Sequence, residues 1–181
     1  MEHFGTIDLI TERLKLRRIK EEDGEEIFYS FRNQEGFLYY MNKEKTTLDK
    51  QKSGLIGIDE KYKNLDYYNW LITTKEDGKI IGLINFNVFE VNETVEVSYA
   101  LDERYFNKGY MSEAVNKVKE FAFKEMNVNR FQASCCASNV ASKRVIEKCG
   151  LNYEGTLKNY LKLKDGYHDM HMFGLVNEER V

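Results

Sequence analysis

Proline is absent from all 181 residues, against an average usage of about 5%. No Pro-, Gly- or Ser-rich linker divides the chain, so residues 1–181 are expected to form a single domain with a sizeable core. Cysteine is scarce and odd in number. Cys135, Cys136 and Cys149 form no C-x-x-C pair, which points to buried free thiols and away from a disulfide framework. Long apolar runs are missing as well. Nothing approaches the ~20 residues that span a bilayer, and the opening MEHFGTIDLI lacks the basic and apolar regions of a signal peptide, so the expectation is a cytoplasmic chain without membrane contact. There is no basic excess either: 30 acidic residues face 27 basic ones, which argues against a broad nucleic-acid surface. His168 and His171 are three apart in a strand-like segment and fall on opposite faces, so no metal site is expected.

What is present centres on Arg104 to Val115, RYFNKGYMSEAV. It follows an alternating, strand-like segment, Thr94 to Leu101, and opens into apolar residues at helical spacing, Met111, Val115, Val118 and Ala122. Gly109 at such a junction permits a backbone conformation that a side chain obstructs, and the amides after it point outward, unpaired, at a helix start. Together with the helix dipole and Lys108, they can hold a phosphate. An ordinary loop with a glycine in a capping position fits the same residues.

The remaining pattern is mixed. Arg13 to Ile19 alternates as a first strand, and Glu21 to Phe31 reads as a short amphipathic helix with Ile27, Phe28 and Phe31 on its apolar face. Gly36 to Met41 is an aromatic cluster in a loop or short turn, serving either as a lid on the core or as a substrate-facing wall. Thr47 to Asn64 has helical spacing interrupted by Gly54 and Gly57, which predicts a bent or broken helix. Tyr68 to Thr74 and Lys79 to Val88 form a hairpin, and Thr94 to Leu101 continues it. Then come helix Met111 to Met126, strand Arg130 to Cys136, helix Asn139 to Cys149, and strands about Tyr153 to Leu163 and Tyr167 to Leu175. This order predicts an α+β fold of about seven strands and four helices with a mostly antiparallel sheet. Only 94–101 and 130–136, joined by a helical crossover, should run parallel.

A second stretch, Asn139 to Leu151 (NVASKRVIEKCGL), joins the first in a family resemblance. Together they resemble the acetyl-CoA-dependent N-acetyltransferases of the GNAT superfamily, whose pyrophosphate loop is commonly (Q/R)-x-x-G-x-(G/A). The matching positions are Phe106, Asn107, Lys108, Gly109, Tyr110 and Met111, with Phe106 and Met111 departing from the short pattern. The wider run YFNKGYMSEAV is similar to the YWGKGYATEAV of the branch that acetylates ribosomal-protein N-termini. Asn139, Ser142, Arg144, Val145, Glu147, Lys148 and Gly150 fit that branch's N-x-x-S-x-R-V-x-E-K-x-G, and the likeness runs from TERLKLR at Thr11 to the last strand. The resemblance implies a sheet splayed between its fourth and fifth strands, with acetyl-CoA as acetyl donor. It also implies cofactor contacts from Tyr99, Ala100 and Leu101, from Phe106 through Ser112, and from Asn139, Ser142 and Arg144.

Acetyl transfer from a thioester to an amine needs a base, a polarised carbonyl and a proton for the leaving thiolate. Glu96, flanked by Val95 and Val97, sits where partial burial would suit it to act as a base, although alternation alone also allows a solvent-facing glutamate. The resemblance aligns it with a glutamate on the acceptor side, acting directly or through water. A strand amide near Ser98 to Ala100 could serve the carbonyl. The tyrosine that many members use to protonate the thiolate is Ile146 here, and the nearest hydroxyl is Ser142, which could equally be a capping residue. The expected function is transfer of acetyl to a primary amine, most naturally a protein or peptide N-terminus. Small-molecule amines, or a non-catalytic acyl-CoA-binding module, remain open alternatives, as do monomer and homodimer.

Overall fold

The structure, a computed structural model, describes residues 1–180. Alternating apolar residues generate its strands: β1 (Leu9–Ile10), β2 (Leu14–Arg18), β3 (Tyr68–Thr74), β4 (Ile80–Phe89), β5 (Thr94–Leu101), β6 (Arg130–Cys136), β7 (Asn152–Leu163) and β8 (Gly166–Val176). They form one sheet in the order β1-β2-β3-β4-β5-β6-β8-β7. The sheet therefore has eight strands where seven were expected; β1, two residues long, is too short to leave a periodic signal. Every pairing is antiparallel except β5 with β6.

Helix α5 (Tyr110–Lys124) is the crossover between those two strands. Its Met111, Ala114, Val115, Val118, Phe121 and Ala122 recur at i, i+3, i+4 spacing and are buried against Trp70, Ile84, Phe86 and Phe131 of the sheet. Helix α6 (Val140–Lys148) lies on the same face through Ile146. So Ile146, the position where a tyrosine would stand, is a core residue, only 1% exposed.

The opposite face carries the shorter helices. A continuous coil from Glu21 to Arg32 is 3-10 at first, α-helical over α1 (Gly24–Ile27) and π-helical over Phe28–Arg32. Ile27 and Phe31 from it join Leu71 and Ile80 of the sheet. The aromatic cluster expected as a loop or short turn is instead helix α2 (Glu35–Tyr40), which buries only Leu38. One buried side chain per turn and a half gives little periodic signal. The broken helix is found as expected: α3 (Leu48–Ser53) ends on Gly54, and α4 (Ile58–Lys61) starts from Gly57 at φ +73°.

Candidate functional site

The loop between β5 and α5 is shaped by two residues with left-handed backbone, Asn107 at φ +59° and Gly109 at φ +79°. Asparagine and glycine are the residues that tolerate this region best. Gly109 is the N-cap of α5. Among the described residues, no hydrogen bond outside the helix engages the amides from Asn107 to Ser112, and the first-turn amides have no intrahelical acceptor. These unpaired donors at the positive end of a 15-residue helix form a cradle that fits a pyrophosphate. The side chains divide the work differently from the sequence pattern. Met111 and Ser112 are buried, so only their amides face the loop, whereas Phe106 is 43% exposed. The Lys108 ammonium stands 5.3 Å over the Tyr105 ring.

Beside this loop the sheet opens. β5 and β6 pair only from Thr94↔Arg130 to Val97↔Ala133. Beyond that point β5 continues with β4 as far as Leu101, and β6 continues with β8 as far as Cys136. The edge of Ser98 to Leu101 that faces β6 has no strand partner, which is the splay the family resemblance implied. An extended, amide-containing chain can pair with such an edge as a substitute strand.

Side chains around the opening sort by face. Glu96, Ser98, Gln132 and Ser134 alternate onto one side; Val97, Tyr99, Ala133 and Cys135 alternate onto the other. Glu96 is half-buried. Its Oε1 accepts a hydrogen bond from Ser134 Oγ at 2.6 Å and its Oε2 one from Gln132 Nε2 at 3.2 Å. Both partners come from β6, so the carboxylate bridges the strands at the point where they part.

On the opposite face the Tyr99 hydroxyl lies 3.0 Å from Ser142 Oγ and 3.2 Å from the Ser142 carbonyl oxygen. A phenol has one proton to give. When it goes to the carbonyl, Ser142 must donate to Tyr99; when it goes to Oγ, the serine proton is free for another acceptor. Burial raises the Tyr99 pKa, so the phenol stays protonated. Cys135 adjoins the same serine, and burial pushes its thiol up to about 11. The cap of α6 is Asn139, whose Oδ1 accepts from the Ser142 amide at 3.0 Å. That removes the capping reading of the Ser142 side chain and leaves the Asn139 amide nitrogen for a ligand. Arg144 is exposed on α6 without a hydrogen-bond or salt-bridge partner among the described residues.

Helix α2 is held by side-chain bonds at both ends of the opening's flank. Tyr39 donates to Asp165 at 3.0 Å, His168 Nε2 lies 2.8 Å from the same carboxylate, and Tyr40 donates to the Ser138 carbonyl at 3.4 Å. Helix α2 is thus tied both to the β7–β8 turn and to the loop before α6. His168 points to this side while His171 bonds Thr156 at 2.7 Å on the other, as their spacing requires.

Sequence reasoning missed the Tyr99 hydroxyl, Gln132 and Ser134. A signal for the last two existed: they are the polar alternates to the buried Phe131, Ala133 and Cys135, matching Glu96 in β5.

Comparison with known proteins gives the following. The profile of a family described as Acetyltransferase (GNAT) domain matches residues 13–152. An uncharacterized N-acetyltransferase of Bacillus subtilis (strain 168), YoaA, is 27% identical over 93% of this chain and 96% of its own length. The ribosomal-protein-serine acetyltransferase of Escherichia coli (strain K12) is 32% identical over 61% of this chain and 62% of its own. Among solved structures, the ribosomal-protein-S5-alanine acetyltransferase from Vibrio fischeri superposes with a TM-score of 0.84 at 26% identity, covering 97% of this chain and 99% of that one.

Proposed function

We propose, from the premise that this chain belongs to the acetyltransferase (GNAT) domain family, that it acetylates the N-terminal amine of a protein or peptide. Family membership makes it an N-acetyltransferase with acetyl-CoA as the donor. The choice of acceptor is supported by the names of two relatives, the Escherichia coli and Vibrio fischeri ribosomal-protein enzymes. A reducing, cytoplasmic setting goes with it, since Cys135, Cys136 and Cys149 are buried free thiols.

One observation carries the chemical assignment: a carboxylate and a hydroxyl pair occupy opposite faces of the two strands at the point where they separate. In this reading Glu96 takes a proton from the amine, directly or through a water. Ser142, backed by Tyr99, gives one to the departing sulfur. An amide of Ser98 to Ala100 donates to the carbonyl oxygen as it gains charge. The loop from Phe106 to Ser112 holds the pyrophosphate; Tyr99 to Leu101, Asn139 and Arg144 line the rest of the donor.

Thiol release measured against a panel of amines tests the acceptor. Short peptides with free N-terminal Ser or Ala should turn over, and the same peptides with blocked N-termini should not. Turnover of a polyamine or aminoglycoside with none of the peptides would overturn the proposal.

The hydroxyl pair makes its own prediction. Ser142→Ala should slow turnover roughly 10²-fold, the low end for a general acid, because a thiolate is already a fair leaving group. Its melting temperature should barely move, since Asn139 holds the cap. Tyr99→Phe, which removes one hydrogen bond, should cost about five- to tenfold in rate. Asn139→Ala should do the reverse, lowering stability by about 1 kcal/mol and weakening coenzyme A binding. Full activity per folded molecule in Ser142→Ala would remove the serine from the chemistry.

A further inference from the structure

The TERLKLR run has so far supplied only a strand, yet its first three residues do not lie in one. Thr11 to Arg13 form the corner between β1 and β2, and that corner reaches the first turn of α5, some hundred residues away in sequence. Glu113 is the meeting point. Its Oε1 accepts from Thr11 Oγ1 at 2.5 Å and from the Arg13 amide at 2.9 Å; its Oε2 accepts from Arg13 Nε and Nη2, each at 2.7 Å. The third guanidinium nitrogen, Nη1, donates to the carbonyl oxygen of Lys108 at 3.0 Å, and the group lies 4.3 Å over the Tyr110 ring. The corner is itself anchored, because the Lys75 amide of the β3–β4 turn donates to the Arg13 carbonyl at 2.8 Å.

Two consequences follow for the loop. The bond to Lys108 pins the peptide immediately before Gly109, whose left-handed φ aims the following amides outward. A planar fork that satisfies a carboxylate and a carbonyl at once cannot be reproduced by an ammonium. The second consequence is electrostatic. Glu113 stays ionised: burial opposes its charge, but Thr11 and Arg13 hold its carboxyl below the usual range. A carboxylate in the first turn competes with a bound anion for the same dipole, and it repels a pyrophosphate unless its charge is cancelled. Arg13 cancels it.

We infer that Arg13 and Glu113 brace the Phe106 to Ser112 loop from behind, so that Arg13 is a positioning residue for coenzyme A although it belongs to the first strand corner. The inference rests on the reading of that loop as the pyrophosphate site. Calorimetric titration with coenzyme A, together with steady-state kinetics, tests it. Arg13→Met should weaken coenzyme A binding about tenfold or more, raising KM for acetyl-CoA in step while kcat at saturation stays near native. Arg13→Lys, which keeps the charge and loses the fork, should fall between the two. Adding Glu113→Gln to Arg13→Met should restore part of the affinity, because it removes the uncovered negative charge; a general loss of structure would make the double variant worse. Arg13→Met that binds coenzyme A like the native chain, while Gly109→Asp does not, overturns the brace and spares the loop; native binding in both overturns the loop itself. A double variant that binds no better than Arg13→Met overturns the electrostatic part.

Discussion

Acetyl-CoA at a hundred times its dissociation constant should raise the melting temperature by roughly 5–10 °C, because such binding adds about 2.7 kcal/mol to a chain of this size. Gly109→Asp should erase that rise. The cause is charge more than space: a Cβ at Gly109 would meet Arg13 Nη2 at 3.5 Å, an ordinary contact. The φ of +79° does impose strain, but aspartate is among the side chains that enter the left-handed region most readily, at a cost of about 1–2 kcal/mol. The variant should therefore fold, with a second carboxylate beside the Arg13 guanidinium that competes with Glu113 for it and adds negative charge next to the cradle meant for an anion. Gly109→Ala carries at least as much strain without the charge and should retain part of the shift. Coenzyme A binding of native strength by a folded Gly109→Asp would show that the phosphates lie elsewhere.

Glu96→Gln should cost about 10²- to 10⁴-fold in turnover near neutral pH, the usual loss for a positioned base. The substitution is nearly isosteric. Its amide can keep the contact with Ser134 through the oxygen, while the longer bond from Gln132 Nε2 is lost because the Gln132 oxygen already accepts from Arg130 Nε at 2.9 Å, so the strands should remain bridged by one bond with only a small fall in melting temperature. The pH dependence carries the decisive sign. An N-terminal amine has an ordinary pKa of about 7.7–8.0, so below that range it needs a base and above it most of it is already neutral. The deficit of Glu96→Gln should accordingly shrink as pH rises past 8. A deficit constant across pH would assign Glu96 to the architecture of the splay instead of proton transfer, and an undiminished rate would remove it from both.

Local patterns made much of this molecule legible. The parallel pairing of β5 with β6 followed from a helix lying between two strands, and the break between α3 and α4 followed from Gly54 and Gly57. The loop at Gly109 was visible for the same reason, since a strand, a glycine and a helix start are adjacent in sequence. What stayed hidden depends on register. Tyr99 and Ser142 are 43 residues apart, Glu96 and Ser134 are 38 apart, and only the pairing of β5 with β6 and the placement of α6 bring them together. A one-residue slip would send each to the wrong face. Helix α2 was hidden differently: Phe37, Tyr39 and Tyr40 make tertiary contacts with Arg32, Asp165 and Ser138 in place of a buried stripe, so they lack helical periodicity.

The division of the splay into two faces has a consequence for how a cycle ends. With Glu96 as base and Ser142 as acid, each turnover leaves an extra proton on Glu96 and a missing one at the Ser142–Tyr99 pair, on opposite faces of the opening. No chain of hydrogen bonds between side chains of the described residues links the two sites, so neither resets the other directly. Recovery is two separate exchanges with solvent, one on each side. The face that carries Glu96 also carries α2, whose Phe37 packs against the same apolar cluster as Ala100. Resetting of the base therefore depends on water reaching that face of the sheet, whereas resetting of the acid depends on departure of the spent donor.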